Sequence, residues 1–428
     1  MTALDQTVAG RRTESSLVWL SFASACLAWM FDAMDLTLFT LVVFPSVSEL
    51  IGSTDPGAVA RTGGLIFAGK LLAWGIGGIA FGIMADRVGR AKTMVITVLI
   101  YSVFTGASGL AQTWWQLLVL QALAGAGIGG EWAAGAALIA ETWPERTRQR
   151  ALVTMQMCFA GGFFFAGLLN FVIGPTGWRW VFAAGAAPAV VALAIRQFVP
   201  EPTRWIAARR HDSFHPAPPR TVAQTFLAIF APDIFHHTVV GVLIAAAMMV
   251  GAWGTTTLLP IWIHQLVGAD DVEFAIKATG KGFMLANVGA VFGYLVVMWV
   301  NDALGRRWSY FLVVVGCFAT SLFAFTQIAT IQGLLWFMPL YGFFAIGGFA
   351  TFAVYLPELF PTRIRATGQG FCWNMGRTLT AAGPLISGAL VGAFGSVPTA
   401  ATVVAASYLI GTIAIWFGPE TRGLPLPD

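Results

Sequence analysis

Long apolar segments recur along the whole chain and constrain its fold more than any other feature. An apolar helix of roughly 18 to 25 residues crosses a hydrocarbon core of about 30 Å. Only 10% of the 428 residues are charged, whereas soluble domains carry about 25%. The alternation of apolar and polar residues that is typical of membrane barrels is not found. The sequence therefore predicts an all-α membrane protein with twelve transmembrane helices, at 17–45, 60–84, 93–111, 115–140, 149–173, 178–199, 236–266, 280–300, 308–329, 333–356, 367–392 and 398–418.

The sequence repeats itself at a spacing close to half its length. The stretch GIMADRVGRAK (82–92) returns as VNDALGRRW (300–308), and ETWPERTRQRA (141–151) returns as ELFPTRIRATG (358–368). Matching landmarks in both halves predict two pseudo-symmetric six-helix bundles, the architecture of a carrier whose site lies between its repeats. The predicted parts are an N-terminal bundle at 1–199, a cytoplasmic linker at 200–235 and a C-terminal bundle at 236–428.

The basic residues are distributed unevenly across the predicted loops. Most of the 24 Lys and Arg residues lie in the loops that share a side with both termini. This asymmetry predicts that both termini are cytoplasmic, in an inner or plasma membrane, and it gives no reason to expect a nucleic-acid partner. The four cysteines occupy four different segments without metal or redox spacing, so we expect small packing residues, no metal and no cofactor: Cys26, Cys158, Cys317 and Cys372.

The repeated loop motifs combine glycines, acids and arginines at the predicted cytoplasmic ends of helices. Glycine permits a tight reversal, and arginines anchor at headgroups or pair with acids. Breaking and forming such pairs would bias inward-open against outward-open states, whereas the alternative is plain topological anchoring. The predicted gating residues are Gly82, Asp86, Arg87, Gly89, Arg90, Glu141, Arg146, Arg148, Asp302, Arg306, Glu358, Arg363 and Arg365.

The pattern G-x-x-x-D-R-x-G-R at 82–90 resembles the signature of the major facilitator superfamily. A narrower likeness comes from GAGIGGEWAAGAALIAETWPERTRQRA (125–151), GWRW (177–180), LPELFPTRIRATGQGF (356–371) and the paired aspartates of the first helix. Together these resemble the organic-acid branch, the sialate, lactate and aromatic-acid:proton symporters. One departure is Gln121, at which many members of the superfamily carry an arginine ahead of G-x-G-x-G.

Three acids lie inside predicted membrane segments, where a charge costs about 2.5 to 3.5 kcal/mol. Asp32 and Asp35 are three residues apart and share one helix face. Two carboxylates held close together cannot easily both ionise, so at least one is a candidate proton-coupling site, and the alternative is a structural pairing with a buried cation. Glu131 lies on the order of 15 Å into the membrane from Glu141, and we interpret it as a proton-transfer or gate residue or as a helix-pairing residue.

Other buried polar or aromatic residues are candidates for substrate binding. Arg377, with Asn374 one turn earlier, presents a planar fork that matches a carboxylate, although a fixed salt bridge is the alternative. Lys70 is predicted either to bind substrate or to pair with a buried acid. Gln156, Trp373 and Tyr355 are weaker candidates, because buried amides and aromatic rings also pack helices.

These features, with the resemblance, imply a secondary transporter that couples proton entry to uptake of a small organic anion by alternating access. The expected partners are the substrate, protons and lipid, and we expect a monomer. The alternatives are proton-coupled export of drug-like compounds or metabolites, and transport of a sugar or polyol. A membrane-embedded enzyme or sensor is disfavoured, because no nucleophile and base pair or metal-ligand cluster is found in the sequence.

Overall fold

The computed structural model describes residues 3–53, 56–190, 199, 201–207, 221–267, 272–381, 390–391 and 393–427, and every regular element among them is a helix. Contacts divide the chain into two compact units. Unit 1 comprises Met1–Ile229, Phe360–Asn374 and Leu426–Asp428, and unit 2 comprises Phe230–Leu359 and Met375–Pro425. The predicted bundle boundaries at 199 and 236 stay predictions.

Unit 1 contains the long helices of the first repeat. Their bounds are α1 Ala3–Ile51, α2 Pro56–Val88, α3 Arg90–Ser108, α4 Trp114–Thr142, α5 Glu145–Ile173, α6 Trp178–Ala184 and α7 Val222–Leu227. Inside unit 1, the pairs α2 with α4, α3 with α4, and α1 with α5 pack most extensively. These pairs therefore place residues of α1, α2, α3 and α4 in one common interior.

Unit 2 contains the corresponding helices of the second repeat. Their bounds are α8 Phe235–Val267, α9 Val272–Leu304, α10 Arg306–Thr326, α11 Ile331–Ala345, α12 Ala350–Glu358, α14 Val397–Ala405 and α15 Ser407–Ala414. Helix α13 (Arg365–Ala381) begins in unit 1 and ends in unit 2. Short 3₁₀ turns occupy Gly174–Thr176, Ala228–Phe230, Gly347–Phe349, Thr362–Ile364 and Ile415–Phe417.

Ten helical spans of the described chain are long and apolar enough to cross a membrane. They match ten of the twelve predicted segments, whereas the segments at 178–199 and 367–392 run into residues outside the described ranges. Large apolar side chains on these spans are exposed, among them Ile76 at 70% and Trp336 at 80%. Exposure of apolar surface of this kind to water is unfavourable, whereas contact with lipid tails accommodates it.

Several predicted segments differ in detail from the observed helices. Helix α1 continues past 45 to Ile51 with Pro45 inside it. The predicted helix 333–356 is interrupted by the 3₁₀ turn Gly347–Phe349. This turn packs closely on α9, because a Cβ added to Gly347 would lie 2.7 Å from the Cα of Gly293.

Equivalent glycines allow the same close helix packing in both repeats. A Cβ on Gly77 of α2 would lie 2.0 Å from the carbonyl oxygen of Ala126 in α4. A Cβ on Gly293 of α9 would lie 2.1 Å from the carbonyl oxygen of Phe343 in α11. Small residues let membrane helices approach at backbone distance. The repeat detected in the loops therefore extends to the packing of the helices.

Candidate functional site

The interior of unit 1 holds an acid pair from two helices. Asp32 of α1 and Glu131 of α4 are both fully buried. Their carboxyl groups interact side chain to side chain. Two carboxyl groups share a hydrogen bond only when one of them carries the proton and donates it. A proton on one of the two groups would allow such a hydrogen bond between them.

Asp35 belongs to a separate network around Lys70. The Lys70 Nζ lies 2.9 Å from Asp35 Oδ2, and it donates to the Asp35 carbonyl oxygen at 3.1 Å and to Gln121 Oε1 at 3.0 Å. The Thr105 hydroxyl donates to the other Asp35 oxygen, and Gln121 Nε2 donates to Ser108 Oγ at 2.9 Å. The lysine thus compensates the charge of this aspartate, and its three donors have three acceptors.

The two aspartates that the sequence places on one helix face each have a partner on another helix. Asp32 interacts with Glu131 of α4, whereas Asp35 pairs with Lys70 of α2. Lys70 forms the buried ion pair that was one of its two predicted roles.

Tyr101 of α3 interacts with both groups, and the sequence reading did not select it. It is fully buried and interacts electrostatically with Asp32, Glu131 and Asp35. Its hydroxyl has no hydrogen-bond partner among the described residues. A single tyrosine in an apolar helix gives little indication of function. Its depth in the membrane, similar to that of the acids, could nevertheless be inferred from the sequence.

A stack of tryptophans adjoins the acid pair. The rings of Trp132 and Trp373 are stacked, with centroids 4.2 Å apart and planes 13° apart. The Trp132 Nε1 donates to Gln156 Oε1 at 3.0 Å, and the Trp29 ring lies 6.5 Å from the Trp132 ring. Trp132 is the residue after Glu131 on α4. The structure thus brings the predicted residues Gln156 and Trp373 together through a tryptophan that the sequence reading missed.

The remaining predicted binding residues occupy different surroundings. Asn374 donates from Nδ2 to the Gly370 carbonyl oxygen at 2.8 Å, and its side chain packs on Gly78 of α2. Arg377 is half-buried on the part of α13 that belongs to unit 2. Tyr355 donates its buried hydroxyl to the Pro419 carbonyl oxygen at 2.8 Å, which places it against the segment after the last helix.

The first copy of the repeated loop motif forms a buried ion cluster in unit 1. Arg90 lies 3.0 Å from both Asp86 and Glu141, and Arg365 lies 2.7 Å from Glu141. The Thr367 backbone N–H donates to Asp86 at 2.7 Å, as does its hydroxyl at 2.6 Å. The cluster ties the start of α13 to the loop between α2 and α3.

Glycine is required at the loop between α2 and α3. Gly89 has φ 124°, a conformation that side chains rarely adopt, and a Cβ there would meet the Glu201 carboxylate. That carboxylate accepts from the backbone N–H groups of Arg90, Ala91 and Lys92 at 2.6 to 3.2 Å. An acid at a helix start satisfies free N–H groups and complements the helix dipole.

The second copy of the motif forms a similar cluster in unit 2. Arg306 lies 2.9 Å from Glu358, and Thr421 donates to Glu358 at 2.6 Å. Glu420 accepts from the backbone N–H groups of Arg306 and Arg307 at 2.9 and 3.1 Å. Partial burial opposes ionisation of Glu420, but these N–H donors outweigh it and lower the pKa of the carboxyl below its usual range.

Not every predicted gating residue joins a cluster. Gly82 is buried against the Ala366 carbonyl oxygen, which a Cβ would approach to 2.9 Å. Arg148 is buried and lies 4.0 Å from Glu145. The exposed members of the set are Arg87, Arg146, Asp302 and Arg363.

The comparisons with known proteins agree with this architecture. The sequence profile of the Major Facilitator Superfamily matches residues 18–371. The chain is 28% identical to a probable 4-methylmuconolactone transporter of Cupriavidus pinatubonensis over 98% of the chain and 94% of that protein. It is 29% identical to a cis,cis-muconate transport protein of Acinetobacter baylyi, over 94% and 95%.

A solved structure matches the whole fold. The proton:xylose symporter XylE bound to 6-bromo-6-deoxy-D-glucose superposes with a TM-score of 0.77 at 19% identity, and the match covers 96% of this chain and 98% of XylE. The prediction of an all-α membrane fold with twelve helices is confirmed. The prediction that the protein is not an enzyme is confirmed as well. The chain is an integral multi-pass membrane transporter and belongs to the Major Facilitator Superfamily.

Proposed function

We propose that the protein imports a small organic anion together with protons by alternating access. The observation that carries this proposal is the buried Asp32–Glu131 pair of unit 1. A carrier driven by protons requires a group that binds and releases one within the membrane, away from bulk water. A pair of carboxyl groups in contact meets this requirement, since its two protonation states differ by a full buried charge.

The charge balance of unit 1 supports a coupled mechanism. Lys70 compensates Asp35, so the acid pair is the part of this network whose charge changes with protonation. With one proton the pair carries one negative charge, and with two it is neutral. Burying the neutral pair costs less free energy, so protonation from outside favours closure around the substrate. Loss of a proton to the inside then favours release.

The substrate class follows from the residues next to the pair. The Trp132–Trp373 stack offers flat apolar faces, and Gln156 and Asn374 offer amide groups. A flat unsaturated carboxylate suits such surroundings. The relatives named for muconate and 4-methylmuconolactone transport support the same class, because both compounds are small unsaturated organic acids or their lactones. We propose Arg377 as the residue that binds the carboxylate.

We propose that the Asp86–Arg90–Glu141–Arg365 cluster is the cytoplasmic gate. The uneven distribution of basic residues supports a cytoplasmic position for it and for both termini. Helix α13 begins at this cluster and carries Trp373 two turns further on. Opening of the cluster would release the start of α13 from α2 and α4, and with it the tryptophan stack.

Transport into liposomes tests the proposal. Purified protein is reconstituted in liposomes that hold a pH-sensitive dye, and muconate, an aromatic monocarboxylate, sialate and xylose are added outside in separate runs. We expect interior acidification with an unsaturated carboxylate, and its loss in Glu131→Gln and in Arg377→Gln. Asp233→Asn is the matched control, because Asp233 is an exposed acid outside the proposed path.

Two outcomes would contradict the proposal. Acidification with xylose and with no carboxylate would make the protein a sugar carrier. Interior alkalinisation on substrate addition would indicate exchange of substrate against protons, which is the direction of an exporter.

A further inference from the structure

The four cysteines are not all separate in space, although no two are close in sequence. Cys26 lies on α1 and Cys158 on α5, both in unit 1. Their thiol groups interact with each other electrostatically. Cys26 is 8% exposed and Cys158 is half-buried, so one thiol of the pair is open to its surroundings.

The packing of α1 against α5 explains this juxtaposition. One turn after the two cysteines, Gly162 of α5 packs directly on α1, since a Cβ there would lie 2.1 Å from the Met30 carbonyl oxygen. Between the two levels, the Trp29 and Phe159 rings lie 4.7 Å apart. Met30 follows Cys26 by four residues, as Gly162 follows Cys158. The register of the two helices therefore holds the thiols at the same level.

We infer that Cys26 and Cys158 form a dithiol site that binds thiophilic ligands such as trivalent arsenicals. An arsenoxide R–As=O reacts with two thiols to form two As–S bonds, and the two thiol protons leave with the oxygen as water. A single thiol forms only one such bond, which hydrolyses readily, so stable capture requires the pair. This inference goes beyond the proposed transport function and does not depend on it.

Protection from alkylation tests the site in the full-length protein. The folded protein in detergent is treated with phenylarsine oxide, freed of excess reagent, unfolded in dodecyl sulfate and labelled with N-ethylmaleimide. Peptide mass spectrometry then gives the labelled fraction at each cysteine. We expect at least a tenfold loss of label at Cys26 and Cys158 and none at Cys317 or Cys372. 2,3-Dimercaptopropanol should restore the label, whereas the monothiol glutathione should not.

Single variants separate capture by the pair from capture by one thiol. In Cys26→Ser, Cys158 should regain its full label after phenylarsine oxide, and in Cys158→Ser the same should hold for Cys26. Protection of Cys158 that persists in Cys26→Ser would overturn the inference, as would full labelling of both cysteines in the arsenical-treated wild type. The wild-type measurement alone is decisive if a variant fails to fold.

Discussion

The two units pack their helices in the same way. The interior of unit 1 holds buried charged residues at positions where unit 2 has neutral ones. Asp32, Lys70 and Tyr101 of unit 1 have Met248, Ala286 and Cys317 at the positions 216 residues later. In unit 2 the Cys317 Sγ lies 3.9 Å from the Met248 Sδ, and in unit 1 Tyr101 interacts electrostatically with Asp32. The two repeats therefore share the helix positions that lie close together, but they differ in the residue types at those positions.

Unit 2 fills the equivalent space with neutral hydroxyl groups. The Tyr341 hydroxyl lies 2.8 Å from Thr255 Oγ1 and 3.1 Å from Thr256 Oγ1. All donors and acceptors of this group are uncharged. The comparison shows that this hydroxyl group of unit 2 is uncharged, whereas the corresponding region of unit 1 holds Asp32, Asp35, Lys70 and Glu131.

The two copies of the loop motif are strongly similar in sequence and ion pairing and differ in one respect. Arg90 with Glu141 in unit 1 corresponds to Arg306 with Glu358 in unit 2. Asp86, however, is buried and accepts three hydrogen bonds from Ala366 and Thr367, whereas Asp302 is exposed. The two copies of one motif therefore differ in how far their aspartates contribute to the structure.

The largest expected effect is a loss of stability when the buried ion pair of unit 1 is broken. Lys70→Met leaves Asp35 as an uncompensated buried charge, which should lower the free energy of unfolding by about 3 to 5 kcal/mol. Thermal unfolding in detergent measures it. The double variant Lys70→Met/Asp35→Asn should recover most of the loss, because it leaves no bare charge.

The exposed Lys281 provides the control for this prediction. Lys281→Met should change stability by no more than about 0.5 kcal/mol. A double variant as unstable as Lys70→Met alone would show that the charge balance is not what the lysine supplies.

The next effect is on coupling and concerns the acid pair. Asp32→Asn and Glu131→Gln remove the titrating charge, so proton-driven accumulation of substrate should fall about 100-fold, equivalent to about 2.7 kcal/mol. Substrate exchange between equal pools, which moves no net protons, should continue. Liposome uptake with and without a pH gradient distinguishes the two processes.

The equivalent position in unit 2 provides the control for the acid pair. Met248→Leu keeps the volume and adds no charge, so uptake should stay close to that of the wild type. If the substrate still accumulated in both acid variants, the proton-binding site would have to lie at other residues.

A smaller effect should distinguish the two motif copies. Asp86→Asn weakens the ion pair with Arg90 and the charged hydrogen bonds from Thr367, which should lower the free energy of unfolding by about 2 kcal/mol. Asp302→Asn should have an effect of at most about 0.5 kcal/mol. Matched thermal unfolding curves compare them, and equal losses would contradict the assigned difference.

The smallest effect concerns Glu420, whose carboxylate caps the start of α10. Its pKa is lower in the folded protein than the ordinary value of about 4.3. The carboxylate therefore stabilises the fold at pH values above that ordinary pKa. This contribution to stability disappears as the pH falls through the pKa of the folded state. Glu420→Gln should thus lose at most about 1 kcal/mol at pH 7 and match the wild type at the acid end of a pH series.

Thermal unfolding across this pH series measures the Glu420 effect, with the exposed Asp233→Asn as a control. A Glu420→Gln deficit that grows toward acid pH would reverse the assigned sign.

The sequence by itself determined the class of fold, the spans and the repeat. These follow from local properties, since a segment enters the membrane because of its own length and apolarity. A loop motif is likewise recognised from consecutive residues of the sequence. The candidate acids and cations were also visible, because an ionisable residue in an apolar run is conspicuous wherever it points.

Only the tertiary structure decided which of these residues meet. Asp32 and Asp35 share a face of α1, yet their partners come from α4 and α2, and rotation and depth of separate helices select them. The same physical reason applies to Cys26 and Cys158, whose distance along the chain conceals a shared helix interface. Side-chain pairing across helices depends on packing between distant segments, and that information is spread over every residue in the interface.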